Sequence, residues 1–278
     1  NPLETWQNLV FDSEPFINSW SDLSHEKFSE ARTSLQKGGL VIISPISLMT
    51  LHYLEVADDV VRLLGSFGIA QSTISLFRSM VEKLKGFEKE GLTSIGAEKG
   101  QLKGYQLTTT QVSQHKAFLE KVIEWISENC TVLPCHKALE IDKETRAQFD
   151  ESMGIAFADT AYISGEPGRI LYSDDQWLRW YASAASKTPG VWTQVVLDHC
   201  FLRQSVNEPL YKKSVLWLAH HGYSYLAITP AIVLEAAKRS NWKTEPPYTA
   251  VLKSFSRGDI EPSYVVSIAT QFIHKLYL

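Results

Sequence analysis

Two short apolar runs, each followed by a helical pattern, limit most strongly what this chain can fold into. "LVII" at residues 40–43 and "RILYS" at residues 169–173 are too short for helices. They are also too continuously apolar for strands with one face in water, and such runs are typical of strands buried on both faces of a parallel sheet. Between residues 40 and 185, strand patterns alternate with helical ones. We therefore predict an α/β fold whose parallel sheet contains both runs and is flanked by helices.

The sequence pattern divides the chain into three parts. Residues 1–39 are predicted to form a helical lead-in or the end of a preceding region, residues 40–189 the α/β core, and residues 190–278 a helical C-terminal subdomain packed on the core. Near residues 91–112 the composition shifts to Gly, Lys, Gln and Thr, which predicts a hairpin or loop insertion in the core. The start at Asn1 suggests a processed chain or a piece of a longer one.

The composition argues against several classes of protein. With 27 basic and 31 acidic side chains the net charge is −4, so any groove for nucleic acid has to be local. Three cysteines are too few for a disulfide framework and favour a reducing cytoplasm. The most apolar segment, "LVIISPISLMTLHYL", is too short and too interrupted to span a bilayer, so we expect no membrane partner.

Two adjacent acids, Asp174 and Asp175, directly follow the second apolar run. Aspartates are favoured at helix N-caps, where they also suit the positive end of the helix dipole. The alternative is a metal or substrate site, because ligands of open α/β sheets collect outside the carboxyl ends of the strands. The local sequence leaves both interpretations open.

Several segments, in a fixed order, carry a resemblance to a known family. They are "LVIISPISLMTLHYL", "STISLFRSM", "MGIAFADTAYI", "GRILYSDDQWLRWYA", "WTQVVLDHCFL" and "YKKSVLWLAHHGYSYLAITPAIV". Over roughly residues 40–278 the chain resembles the PIN domain, in the large bacterial variety associated with tetratricopeptide-repeat and Gre-type-domain proteins. This resemblance implies a parallel-sheet core with a helical C-terminal extension and, in active members, a ribonuclease that depends on Mg²⁺ or Mn²⁺.

The resemblance also implies a cluster of acids around the metal, and this chain keeps only part of it. Asp159 and Asp174 match two of the acidic positions, so both are expected to be catalytic metal ligands, with Asp175 assisting. Ser44 stands where an acid is expected after the first strand, and "STISLFRS" contains no acid where another is expected. In a cluster that is merely depleted, Ser44 Oγ should lie close to Asp159 and Asp174.

Other residues offer secondary candidates. Arg169 and Arg179 are the cations nearest to the acids and are candidates for binding substrate phosphate. Trp177, Trp180 and nearby aromatic residues suit either a packed core or the stacking of bases. A missing metal ligand could come from acids that equally suit solvated positions, namely Glu55, Asp58, Asp59, Asp142 and Glu144. The zinc-like spacing of Cys130, Cys135 and His136 lacks a second ligand pair, which favours structural thiols.

The sequence therefore supports two functional hypotheses and leaves open whether the chain is an enzyme. One is a divalent-metal-dependent endoribonuclease with a depleted acidic site. The other is a catalytically inactive PIN-like module that binds RNA or a protein partner within a larger regulatory or stress-response protein. Expected partners are RNA or another single-stranded nucleic acid, and proteins or missing domains of a longer chain.

Overall fold

A sheet of five parallel strands forms the centre of the computed structural model, which describes residues 25–98, 101–223, 226–255 and 261–277. The strands are β1 (Leu40–Ile43), β2 (Phe67–Ala70), β5 (Cys130–Leu133), β6 (Arg169–Tyr172) and β7 (Gly190–Val191). Their order across the sheet is β5-β2-β1-β6-β7, and each neighbouring pair runs parallel. The structure confirms the predicted α/β class.

Helices connect the strands of this sheet, and an antiparallel hairpin of β3 (Leu92–Glu98) and β4 (Gln101–Leu107) lies outside it. The helices up to β7 are α1 (His25–Lys37), α2 (Pro45–Tyr53), α3 (Ala57–Leu64), α4 (Gln71–Lys85), α5 (Thr109–Asn129), α6 (Lys143–Met153), α7 (Ile155–Ser164) and α8 (Gln176–Ser186), with a 3₁₀ turn at His136–Leu139. Of the predicted helical lead-in, residues 1–24 lie outside the described residues.

The part of the chain after β7 is helical in its described residues. It contains α9 (Thr193–Leu202), α10 (Glu208–His220), α11 (Pro230–Arg239), α12 (Tyr248–Phe255) and α13 (Pro262–Leu276). Helix α9 packs against α1, α2 and α3, and thereby attaches the C-terminal helices to the core. Across the described ranges, none of the helices combines the length and the apolar character needed to cross a membrane.

The run "LVII" behaves as a parallel strand with both faces covered. Val41 and Ile43 are buried in the main hydrophobic core, whereas Ile42 packs on the other face with Ala70 of β2 and Ile163 of α7. Because consecutive side chains of a strand point to opposite faces, a continuous apolar run is stable only where helices cover both faces. The same constraint places β1 in the middle of the sheet.

His52, on α2, is held as a neutral side chain between aromatic rings of α5. Its ring lies edge-on to Trp125 at 5.0 Å and to Phe118 at 6.4 Å between centroids. Its Nε2 is buried and has no hydrogen-bond partner in the described structure. Burial lowers the pKa of His52 to about 4, with the charge of Lys121 acting in the same direction and that of Asp58 opposing both.

We predict that stability falls in mild acid because of His52. Its folded pKa of about 4 lies below the ordinary value of 6.5, so between these values the unfolded chain binds the proton more readily. The free energy of unfolding should therefore decrease as the pH falls through this window, by about 1–2 kcal/mol between pH 7 and pH 5. Urea titrations at the two pH values measure the change.

The matched variants are His52→Phe and His274→Phe, since His274 is exposed on α13. The first should lose most of the decrease between pH 7 and pH 5, and the second should keep it. An equal decrease in wild type and His52→Phe would show that other groups cause it.

Candidate functional site at the carboxyl ends of β1 and β6

The carboxyl ends of β1 and β6 meet where the strand order reverses. The connection after β1 leads to β2 on one side, and the connection after β6 leads to β7 on the other. Such a switch point is the usual ligand crevice of an open α/β sheet. Ser44 follows β1 and donates its backbone N–H to the carbonyl of Tyr172 at 2.9 Å. Asp174 comes two residues after the end of β6. The fold therefore brings these two predicted positions to the same edge of the sheet.

The Asp174 carboxylate is fully buried, and both of its oxygens accept hydrogen bonds from Thr193. Its Oδ1 accepts the Thr193 backbone N–H at 2.8 Å, and its Oδ2 accepts the Thr193 hydroxyl at 2.6 Å. Thr193 is the first residue of α9, whose N-cap residue Trp192 makes no side-chain capping bond. Asp174, which follows β6, thus caps α9, which follows β7. A negative charge at the N-terminus of a helix also suits the helix dipole.

Further hydrogen bonds fix both ends of this contact. The Asp174 backbone N–H donates to Ser47 Oγ at 2.7 Å, which ties the end of β6 to α2. The Tyr172 hydroxyl lies 2.9 Å from Thr193 Oγ1. Because the Thr193 hydroxyl already donates to the carboxylate, Tyr172 must be the donor to Thr193. This chain of hydrogen bonds therefore ends on the Asp174 carboxylate, which accepts the last of them.

Two opposing effects set the charge of Asp174. Burial raises the pKa of its carboxyl, while the hydrogen bonds from Thr193, the nearby charge of Arg179 and the contact with Ser47 act to lower it. Arg179 is itself buried, donates to the carbonyl of Ser173, and lies 5.2 Å from the Trp192 ring centroid. Burial lowers the pKa of Arg179 to about 10, so it keeps its charge at neutral pH and compensates the acid within the fold.

The other two positions at this edge act as helix caps. Asp175 caps α8, because its Oδ1 accepts the backbone N–H groups of Trp177 at 2.8 Å and Leu178 at 3.3 Å. Ser44 caps α2, and its Oγ lies 3.3 Å from Ser47 Oγ. Ser44 is thus linked to the Asp174 backbone through Ser47. The geometry of Asp175 fits the interpretation of this residue as a helix cap.

Asp159, on α7, has contacts of its own. Its Oδ2 accepts the Ser72 hydroxyl of α4 at 2.6 Å, and its Oδ1 lies 3.7 Å from Nη2 of Arg146 on α6. Its side chain is 14% exposed, whereas Asp174 is not exposed at all. Asp159 therefore pairs with a basic side chain.

The described residues do not fit the divalent metal that the resemblance implies. Among them, no group of three or more His, Cys, Asp and Glu side chains is placed to hold a metal ion. The acids considered as replacements include several with contacts elsewhere: Asp142 caps α6, Asp58 accepts the Trp125 indole N–H, Asp59 pairs with Arg62 and Glu55 with Lys213. Mg²⁺ and Mn²⁺ require several oxygen ligands that are open to the ion.

The two arginines predicted to bind substrate also serve the fold. Arg169 donates to the carbonyl of Ile163 at 2.8 Å and pairs with Glu166, and its side chain is only 14% exposed. Arg179 is turned inward as described above. Both arginines lie near the acids in sequence, but neither guanidinium is at the surface.

The structure shows instead a groove between α1 and α8, with a volume of about 750 Å³. Lys27, Thr33 and Lys37 are among its α1 residues, Trp180 belongs to α8, and Lys187 is the C-cap residue of α8. Lys37 and Lys187 end the helices that precede β1 and β7, so both lie toward the amino edge of the sheet. Sequence reasoning missed these lysines, although their places just before two strands gave the signal that could have found them.

One exposed tryptophan, Trp180, lines this α1/α8 groove, and the exposed Trp177 contacts it. Trp177 and Trp180 are 67% and 63% exposed, and their rings meet edge to face at 5.8 Å. Trp192 is buried, and Tyr181 stacks on Phe149 at 4.1 Å. The aromatic cluster predicted from the sequence is therefore divided between surface and core.

Thr193→Val should destabilise the protein by about 1–3 kcal/mol, because it leaves Asp174 Oδ2 and the Tyr172 hydroxyl buried without their partner. Thr270→Val is the matched control on the exposed side of α13 and should change stability by less than about 0.5 kcal/mol. Urea denaturation at pH 7 measures both. Equal stability of Thr193→Val and wild type would contradict the role given to this contact.

Comparison with known proteins gives one family for this fold and site. The sequence pattern of the PIN domain associated with the TPR-GreAB-C-PIN system matches residues 42–184, from within β1 to within α8. No curated protein and no solved structure shows a significant match. The match includes β2, β5, β6 and the acids after β6, and it ends before β7. The chain belongs to the family of PIN domains associated with the TPR-GreAB-C-PIN system.

Proposed function

We propose that this chain is a PIN-like module that binds single-stranded RNA without cleaving it. The observation that carries the proposal is the commitment of both retained acids: Asp174 caps α9 through Thr193, and Asp159 is bound by Ser72 and Arg146. The competing hypothesis, a ribonuclease dependent on Mg²⁺ or Mn²⁺, needs these carboxylates as metal ligands.

The chemistry of phosphodiester hydrolysis explains why this commitment matters. Two-metal nucleases hold their ions about 4 Å apart with shared ligands, so that both the attacking and the leaving oxygen are stabilised. A carboxylate with no exposed surface offers no oxygen to such an ion unless the Thr193 bonds break. We therefore assign Asp174 a structural role and Asp175 the role of a helix cap.

The α1/α8 groove is the surface that suits RNA best. Lys37 and Lys187 are exposed and supply positive charge for phosphate, and Trp180 offers an exposed ring for a base. Glu26 and Glu30 on the α1 wall reduce the positive charge near the other end of α1. Because the net charge of the chain is −4, any surface that binds nucleic acid has to be local. The groove is such a local surface.

The setting of this module is also part of the proposal. The name of its family pairs the PIN domain with TPR and GreAB-C, so we propose that it acts beside other domains or proteins. A reducing cytoplasm suits its three free cysteines, Cys130, Cys135 and Cys200. Burial raises the pKa of each thiol to about 11 or 12, which keeps it in the protonated form that does not bind zinc.

The purified protein should not cleave RNA above background with Mn²⁺ or Mg²⁺. Gel analysis of a labelled single-stranded RNA tests this, with Asp159→Asn and Asp174→Asn run in parallel. All three proteins should give the same background. Cleavage by wild type that both substitutions abolish would restore the ribonuclease hypothesis.

Binding to single-stranded RNA should depend on the α1/α8 groove. Trp180→Ala and Lys187→Gln should each weaken binding about tenfold, within the 1–3 kcal/mol expected for a stacked base. Lys187→Gln should also reduce the slope of log affinity against log salt by about one, as the loss of one phosphate contact does. Fluorescence anisotropy at several salt concentrations measures both quantities.

The matched controls are Trp242→Ala and Lys243→Gln, which alter an exposed tryptophan and an exposed lysine beyond α11. Both should bind RNA as wild type does. RNA binding that is absent in wild type, or that the control variants weaken equally, would count against this surface and favour a protein partner.

A further inference from the structure

Arg146 lies between two acids at the place where the family would be expected to hold a metal ion. Its Nη2 is 3.7 Å from Asp159 Oδ1, and its Nε is 3.5 Å from Asp150 Oδ2. Arg146 and Asp150 are four residues apart on α6, whereas Asp159 belongs to α7. The guanidinium therefore joins α6 to α7 through Asp159 and pairs with Asp150 within α6.

The two carboxylates depend on this positive charge because their hydrogen bonding is incomplete. Oδ1 of Asp150 and Oδ1 of Asp159 are both buried and have no hydrogen-bond partner within the described structure. Ser72 satisfies only the other oxygen of Asp159. Buried anionic oxygens without donors are costly unless a cation lies close by.

We propose that Arg146 is a built-in counter-ion that takes the place of a divalent metal beside Asp159 and Asp150, and that it keeps Mn²⁺ and Mg²⁺ out. An arginine side chain stays charged at any physiological pH, so its positive charge always offsets part of the negative charge of the two acids. A divalent ion approaching the same oxygens meets a like charge within a few ångströms. The inference goes beyond RNA binding, since it concerns what neutralises the acids.

The test is whether removing the guanidinium creates affinity for Mn²⁺. Arg146→Met keeps much of the length and apolar bulk of the side chain but removes its charge. We expect it to bind Mn²⁺ at least tenfold more tightly than wild type by calorimetry, and to show a larger rise in Tm with Mn²⁺. Arg146→Lys keeps the charge and should behave like wild type.

Arg239→Met is the matched control. Arg239 also pairs with an acid four residues away, Glu235, at 2.7 Å, and it is exposed to a similar degree, 42% against 35% for Arg146. It should bring no increase in Mn²⁺ affinity. Adding Asp159→Asn to Arg146→Met should abolish the increase, because the ion loses one of its two carboxylates.

Several results would overturn the inference. These are no increase in Arg146→Met, an equal increase in Arg239→Met, or an increase that survives Asp159→Asn. If Arg146→Met does not fold, Arg146→Gln takes its place with the same expected results. Failure here leaves the RNA proposal standing if wild type still neither binds Mn²⁺ nor cleaves RNA, so the two proposals can fail separately.

Discussion

The contact between Asp174 and Thr193 is the interaction on which the arrangement of this molecule depends. It joins Asp174, two residues after the end of β6, to the first residue of α9, where the C-terminal helices begin. Both partners are buried. Without Asp174, the Thr193 N–H and hydroxyl would lose their acceptor, and water could not take its place. The charge of Arg179 and the dipole of α9 offset the cost of burying the acid.

This contact also limits the chemistry of the switch point. A carboxylate that holds a helix terminus inside the protein does not also offer open oxygens to an incoming metal ion. Asp159 is likewise engaged, since its Oδ2 accepts the Ser72 hydroxyl and its Oδ1 lies 3.7 Å from Nη2 of Arg146. In the proposed function both acids stabilise the fold, and RNA binds at the α1/α8 groove on the surface.

Sequence patterns predict the fold well because the decisive signals are local. "LVII" forms β1 and "RILYS" forms β6 except for its last residue, and the acid pair after β6 lies at the switch point. The roles of the site residues depend on distant contacts: Thr193 is 19 residues from Asp174, and Ser72 is 87 residues from Asp159. Arg169 and Arg179 were chosen for their closeness in sequence, but both turn inward to backbone carbonyls. The periodicity of apolar residues in a sequence does not indicate in which direction an isolated polar side chain points.

Crystals of the wild-type protein grown with Mn²⁺ would show whether either carboxylate binds a metal ion, because anomalous scattering locates the ion without any assay of activity. We expect no Mn²⁺ bonded to the carboxylates of Asp159 or Asp174, with both Thr193 hydrogen bonds to Asp174 intact. An anomalous peak at coordination distance from an Asp174 oxygen, with the Thr193 hydroxyl displaced, would contradict this expectation.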